Sequence, residues 1–366
     1  MIDFQRLIKI SLGVVIATLI IAGCYSLPAT GIPHVGTSRV PTLTLKPSVE
    51  PTNVPTDVSP IPSPTPSTTV YRAFTEASYW NTPIPFDAPI QPNSDQIIKY
   101  LEKDSSQSFV RFSGLDADGQ WGRPIYWGYS EDPIYQIICR DNPYSAHVPT
   151  DVKADPSSDA AWTLYDMVNG WVLGMHDPLG PSMWCSSIHV LSSNGLDNKW
   201  TQFTDTAPEN SGHRGAPASN IGIRVDEIEA GAIDHKLHLS VNTSKNTHVF
   251  PMVGDENGTQ DANAPPEGVL IRIKPSVDLE SLDLSPAARI VATALQTYGA
   301  IVGDQSGGPI NLKVENTIAE GRGNLWRGVL TWDALKNIPM DPEYFEVIEF
   351  GYGCGDAVVC APVERE

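Results

Sequence analysis

The sequence predicts a mainly β (α+β) fold, a two-sheet, β-sandwich-like domain with a few short helices and one longer helix near 285–298. Three observations carry this expectation. Apolar residues come in short runs bounded by Gly, Pro, Asp or Asn, the pattern of strands in sheets. Only one segment has the length and the end signals of a long helix. Helices do not alternate with strands, which disfavours a parallel α/β architecture.

Taken in order, Ser78–Pro85 opens the domain with aromatic residues and a proline-fixed backbone, and 95–101 reads as a short helix. Strands are expected at 109–112, 124–129, 134–139, 162–167, 171–175 and 188–191. Asn169-Gly170 between two of these runs is a two-residue hairpin signal. The segment 225–230 reads as a short helix stopped by Gly231. Strands return at 237–241 and 269–273. Ser285-Pro286 then supplies the N-cap and first-turn proline of the long helix, with Gly299 just past its end. Further strands are expected at 301–302, 310–314 and 345–348, with a glycine-rich turn over 303–308.

The chain has 366 residues, 41% hydrophobic content and nine tryptophans, enough for a sizeable core. Its formal charge of −19 and the absence of any Lys/Arg cluster in the sequence argue against nucleic acid as a partner.

The N-terminus reads as an export signal. Arg6 and Lys9 precede an apolar run from Leu12 to Ala22, too short to span a bilayer, which needs about 20 residues. The run ends in Ile21-Ala22-Gly23-Cys24, which resembles the lipobox of bacterial lipoproteins at every position. That resemblance implies cleavage after residue 23, a diacylglycerol thioether on Cys24 and anchoring in the lipid bilayer, with the rest of the chain on the extracytoplasmic face. Residues 24–70 form an expected tether, with ten prolines between Pro28 and Pro66 among Thr, Ser and Val. Extended, it would reach roughly 140 Å. Residues 71–366 are the expected single globular domain.

Five cysteines is an odd number for an exported chain. Assigning Cys24 to lipid leaves Cys139, Cys185, Cys354 and Cys360, which allow three pairings outside the cytoplasm. Cys139 with Cys185 and Cys354 with Cys360 is the preferred set.

Within the domain, Trp80–Pro85, Ser158-Asp159-Ala160, Ile223–Leu237 and Tyr298–Gly308 occur in the order of motifs in a family of uncharacterised secreted bacterial proteins, which the chain resembles. The family shows a WNTP-(I/L)-P opening, an SDG-like strand entry, an IxxEEIxxGxIDHAL stretch and a YGxxxxDxGG turn. This chain departs from it in having Ala160 where the family has Gly, and in an insertion within the last turn. The resemblance implies a shared fold and extracellular life, and no particular chemistry.

Six of the eight histidines fall between residues 147 and 238, interleaved with carboxylates. The candidate catalytic residues are His176, Asp177, His189, His213, Arg214, Asp234 and His235. If they converge, they supply a general base near neutral pH, an acid and an arginine for an oxyanion. A divalent metal held by two or three of the histidines and an aspartate is the alternative chemistry. The bland alternative makes them turn residues and satisfied histidines. Asp226, Glu227 or Glu229 would furnish half of a glycosidase carboxylate pair with Asp177 or Asp304. Asp116-Ala117-Asp118-Gly119 begins like a calcium loop but lacks the glutamate at its twelfth position, so it reads as a turn. The tryptophans and tyrosines in short strands and turns, Trp121, Trp127 and Trp184 among them, suit stacking on sugars. The expectation is a surface-tethered hydrolase or lyase acting on polysaccharide, the alternative a non-catalytic module binding glycan or protein.

Overall fold

The computed structural model describes residues 70–139, 141–177, 183–197 and 210–355, and the backbone of 363–364. The signal segment, Cys24, nearly all of the tether and Cys360 lie outside the described residues. Residues 65–366 cluster into one compact unit.

In chain order, α1 (Ser94–Asp104) is followed by strands β1 (Arg111–Ser113), β2 (Ile125–Gly128), β3 (Ile134–Cys139), β4 (Asn142–His147), β5 (Ala161–Asp166), β6 (Trp171–His176) and β7 (Met183–Val190). Next come β8 (Gly222–Ile223), α2 (Val225–Ala230), β9 (Leu237–Val241), β10 (Thr247–His248) and β11 (Leu270–Ile273). The chain continues with α3 (Pro286–Thr297), β12 (Ala300–Gln305), β13 (Asn311–Val314), β14 (Phe345–Val347) and β15 (Val363–Glu364). The fold is mainly β, as expected, and both large sheets are mixed. One runs β1-β13-β9-β12-β11-β14, with β8 pairing β13; the other runs β2-β5-β6-β7-β3-β4.

The sheets are held by three apolar layers. Leu239, Val302 and Leu312 of the seven-stranded sheet bury one face beneath α1 and α3, against Ile97, Val291 and Leu295. A second layer joins the sheets: Tyr165 and Val172 from one, Leu270 and Ile301 from the other, with Trp80 and Phe250 between. The third covers the far face of the six-stranded sheet around Trp162, Leu173 and Met175. Each fully buried side chain of this size contributes about 1.5–3 kcal/mol.

Local signals explain the helices. Ser285 Oγ accepts from Ala288 N at 3.2 Å, Pro286 begins α3 where its missing N–H costs nothing, and Ala287, Ala288, Val291 and Leu295 form the stripe that packs on the sheet. Gly231, with φ +86°, ends α2 as expected.

Three details correct the sequence reading. The β5–β6 hairpin turns over four residues, 167–170, with Asp166 paired to Trp171. Fully buried Asp166 supplies what a two-residue turn would not need: its Oδ1 accepts from Val168 N and Asn169 N, at 3.1 and 3.0 Å. Strand β7 begins at Met183, well ahead of the expected 188. Strand β12 runs on through Gln305, so the glycine-rich turn begins only at Ser306.

Cys139 and Cys185 are paired neighbours on parallel strands β3 and β7, and they form a disulfide, the first of the two preferred pairings. Such a bond fits an oxidising compartment outside the cytosol. Cys354 is also disulfide-bonded. Among the described residues, no helix is long and apolar enough to cross a membrane.

Candidate functional site

The site grows from the two-residue period of four adjacent strands. In β9, Leu237, Leu239 and Val241 face the helical layer, so His238 and Ser240 face the opposite way. Strand β13 sends Leu312 and Val314 to the same layer and turns Asn311 and Lys313 to the side of His238. Strand β1, in register with β13, aligns Arg111 with Asn311 and Ser113 with Lys313.

On β12 the simple period would bury Asp304 with Ala300 and Val302. A bulge intervenes: Val302 pairs Leu239 and Asp304 pairs Ser240, leaving Gly303 as the extra residue. The bulge turns Asp304 to the polar face, where its Oδ2 accepts from Ser240 Oγ at 3.1 Å and lies 3.6 Å from Lys313 Nζ. Gly303 is required there because a Cβ would run into the His238 ring.

This polar floor underlies a cavity of about 830 Å³. His176, at the end of β6, enters one wall. Its ring stacks on Trp184 with centroids 4.2 Å apart, and its nitrogens contact Asp159 O and Ser186 Oγ, each at 3.0 Å. His213 enters from the connection between β7 and β8, and Glu256, whose Oε1 is 2.7 Å from Arg214 Nη1, also lines the cavity. Trp121 and Trp332 stand at the mouth, 40% and 46% exposed, far more than a core tryptophan. The Arg111 guanidinium lies over the Trp332 ring at 4.5 Å.

The charges are polarised by this packing. Burial works against ionisation of Asp304, but Lys313, the imidazoles of His238 and His213 and the Ser240 hydroxyl outweigh it and hold the carboxyl below its ordinary range. Burial pushes His213 down, helped by the Arg214 cation, and lowers His238 to about 4. Burial also lowers His176. All three imidazoles are therefore neutral at pH 7. Glu256 moves the other way: burial raises it against the pull of Arg214. Behind it, Glu267 accepts from Glu256 N at 2.9 Å and is raised by burial to about 7. One cavity thus holds one carboxyl lowered below its ordinary range and one raised above it.

Backbone strain concentrates at the same place. Among the described residues seven non-glycine residues have positive φ, and four of them lie at the cavity wall or directly beside it: Trp121 (+64°), Ala160 (+43°), Asp177 (+42°) and Arg214 (+54°). Left-handed backbone costs an L-residue about 1–2 kcal/mol, and such positions cluster at binding and catalytic sites. Asp155 Oδ1 holds Trp121 in place by accepting its N–H at 2.9 Å.

Of the seven candidate catalytic residues, His176 and His213 line this cavity, and Asp177 and Arg214 directly follow them. The other three lie elsewhere. His189 is fully buried, its ring against Phe74. Asp234 is exposed near Tyr298, lining separate clefts. His235 is bound beneath α2, where Nε2 meets Glu227 Oε1 at 2.8 Å and Nδ1 meets Lys236 O at 2.8 Å. That contact and Arg224 also occupy Glu227, which takes it out of any pairing with Asp304. Among the described residues, no group of three or more His, Cys, Asp or Glu side chains is placed to hold a metal ion. Asp116–Gly119 is a turn closed by Gly119 N donating to Asp116 O at 3.0 Å.

Sequence reasoning passed over Glu256, Lys313, His238, Arg111 and Trp332 as site residues. For three of them the signal was available: His238 alternates with Leu237 and Leu239, Lys313 with Leu312 and Val314, and Arg111 with Val110 and Phe112. Polar residues alternating with core residues mark a second, solvated sheet face.

Set against protein-family models, curated proteins and solved structures, the chain finds no match.

Proposed function

We propose that this protein is an enzyme that cleaves polysaccharide by acid–base chemistry in the cavity above β1, β13, β9 and β12. The observation that carries the reading is the opposed pair of carboxyls lining one cavity, Asp304 held below its ordinary range and Glu256 raised above it. Environments that push two carboxyls apart are how acid and base roles are assigned in glycoside hydrolysis.

In that reaction Asp304 takes a proton from the attacking water as its oxygen bonds to the anomeric carbon. The bond from that carbon to the glycosidic oxygen breaks, and the departing oxygen takes the proton of Glu256. The neutral imidazole of His213 accepts a hydrogen bond from a sugar hydroxyl or, as a base, serves an elimination that yields an unsaturated product, while His176, engaged by Asp159 O and Ser186 Oγ, shapes the wall. The exposed indoles of Trp121 and Trp332 support a sugar subsite at the mouth.

The same two indoles favour a second reading, a module that binds glycan without turning it over. One experiment separates them. The full-length protein is incubated with a broad panel of cell-wall and environmental polysaccharides, scoring new reducing ends and unsaturated products. Turnover that falls about 10²–10⁴-fold in both Glu256→Gln and Asp304→Asn, with folding verified by circular dichroism, supports catalysis. Saturable binding with no product supports the module, and the hydrolase or lyase reading is then abandoned.

The setting is part of the proposal. Acylation of Cys24 would anchor the chain in the bilayer, with the domain on the extracytoplasmic face at the end of its proline-rich tether. Cys24→Ser should move the protein from the membrane to the soluble fraction, and unchanged membrane retention would overturn the anchor.

A further inference from the structure

We infer that the sugar taken by this cavity is acidic: a uronate-type unit whose carboxylate docks on Arg111 while its ring lies against the tryptophans at the mouth. This rests on the glycan reading and names its substrate class.

The argument begins from charge pairing in an acidic chain. Asp304 is matched by Lys313 at 3.6 Å and Glu256 by Arg214 at 2.7 Å, while Asp159 lies in the field of Arg123 and Lys313. Arg111 is different. Among the described residues its guanidinium has no carboxylate within 4.0 Å and no hydrogen bond, in a chain whose acids outnumber its Lys and Arg by 43 to 24. It is nevertheless held in place. Strand β1 is in parallel register with β13, Arg111 N donates to Ile310 O at 2.9 Å, and the guanidinium lies on the Trp332 ring.

A guanidinium stacked on an indole keeps its in-plane N–H groups free, and these match a carboxylate in a two-bond fork. Asp116, lining the same cavity, has no cation within 4.0 Å among the described residues. A carboxylate beside a sugar site accepts from ring hydroxyls, so Arg111 and Asp116 together read both polar features of a uronate. Trp121, fixed across the mouth by Asp155, offers the apolar face.

The test is binding, which needs no turnover. Intrinsic tryptophan fluorescence of the full-length protein is titrated with oligogalacturonate and oligoglucuronate, each against its own carboxyl-reduced counterpart. The wild-type protein should bind at least one acidic oligomer about tenfold tighter than its reduced form. Arg111→Gln should abolish that preference, and Arg111→Lys, which keeps charge without the fork, should restore part of it. Equal binding of both forms, or a preference that survives in Arg111→Gln, overturns the inference. If neutral glycans from the wider panel bind or turn over while uronates do not, the acidic-sugar inference fails and the glycan reading stands. If no glycan of either kind binds, both fail.

Discussion

Lys313 Nζ reaches to 3.6 Å from Asp304 Oδ2 although strand β9 lies between their own strands, so the pair spans the cavity floor over Ser240. The contact exists because three side chains from three strands share one sheet face, and because the Gly303 bulge puts Asp304 on that face. It couples the architecture of the sheet to the ionisation of one carboxyl.

Removing Lys313 should therefore move the chemistry along the pH axis. Lys313 is the strongest of the influences that hold Asp304 down, so Lys313→Met lets burial raise the carboxyl. A base must be ionised to act, so the acid limb of the pH–rate profile should shift to higher pH. At roughly pH 5 the variant should lose several-fold more activity relative to wild type than at pH 7. An unmoved acid limb would show that Asp304 does not control it.

Buried His238 should make the fold acid-sensitive. Its folded value lies at about 4, below the ordinary histidine range near 6.5. Between those values the unfolded chain binds the proton and the folded chain does not, so stability rises with pH across that window and is lost on acidification. The full effect is on the order of 3 kcal/mol. Glu267, raised to about 7, has the opposite sign, since there the folded chain holds the proton. Comparing His238→Gln with wild type by urea unfolding between roughly pH 4 and 7 cancels the Glu267 effect. The stability difference should move in favour of the variant as pH falls, and a constant difference would refute the assignment.

The Cys139–Cys185 disulfide closes a loop with a sequence separation of 46. Chain entropy alone assigns such a loop about 4 kcal/mol. Cys139→Ser/Cys185→Ser should lower unfolding free energy by about 2–4 kcal/mol, measured by chemical denaturation without reductant. A loss below about 0.5 kcal/mol would mean that the strand pairing between β3 and β7 already restricts the unfolded chain.

Ala160 should be improvable. Its φ of +43° suits glycine. Ala160→Gly relieves left-handed strain and gives back some unfolded-chain entropy, a net gain of about 0.5–1 kcal/mol. Calorimetry should show a rise of a few degrees in melting temperature. A fall would mean that the Ala160 side chain makes packing contacts worth more than its strain.

Much of the fold was legible because it rests on short-range physics. Strands β3 and β9, helix α2 with its Gly231 stop, and the Ser285-Pro286 start of α3 follow from apolar runs, caps and breakers, each local to a few residues. The four-residue β5–β6 turn was not legible, because it depends on a carboxylate buried by other strands. Strand β4 was missed because its Pro143 and exposed polar residues mark an edge, and an edge is defined only by what lies beside it.

The candidate site divides in the same way. Clustering of histidines and carboxylates between 147 and 238 was visible, and three of them, Asp159, His176 and His213, line one cavity. The sequence by itself determined the residue types, the two-residue period of each strand and the set of cysteines open to bonding. Only the tertiary structure decided that His176, from the second sheet, shares a cavity with Asp304 and Lys313, from the first, and that His189 and His235 are buried elsewhere. Periodicity says which face a side chain takes, whereas strand order and a single bulge decide which faces meet. Those are set by pairing between residues far apart in the chain, such as Leu239 with Val302 and with Leu312.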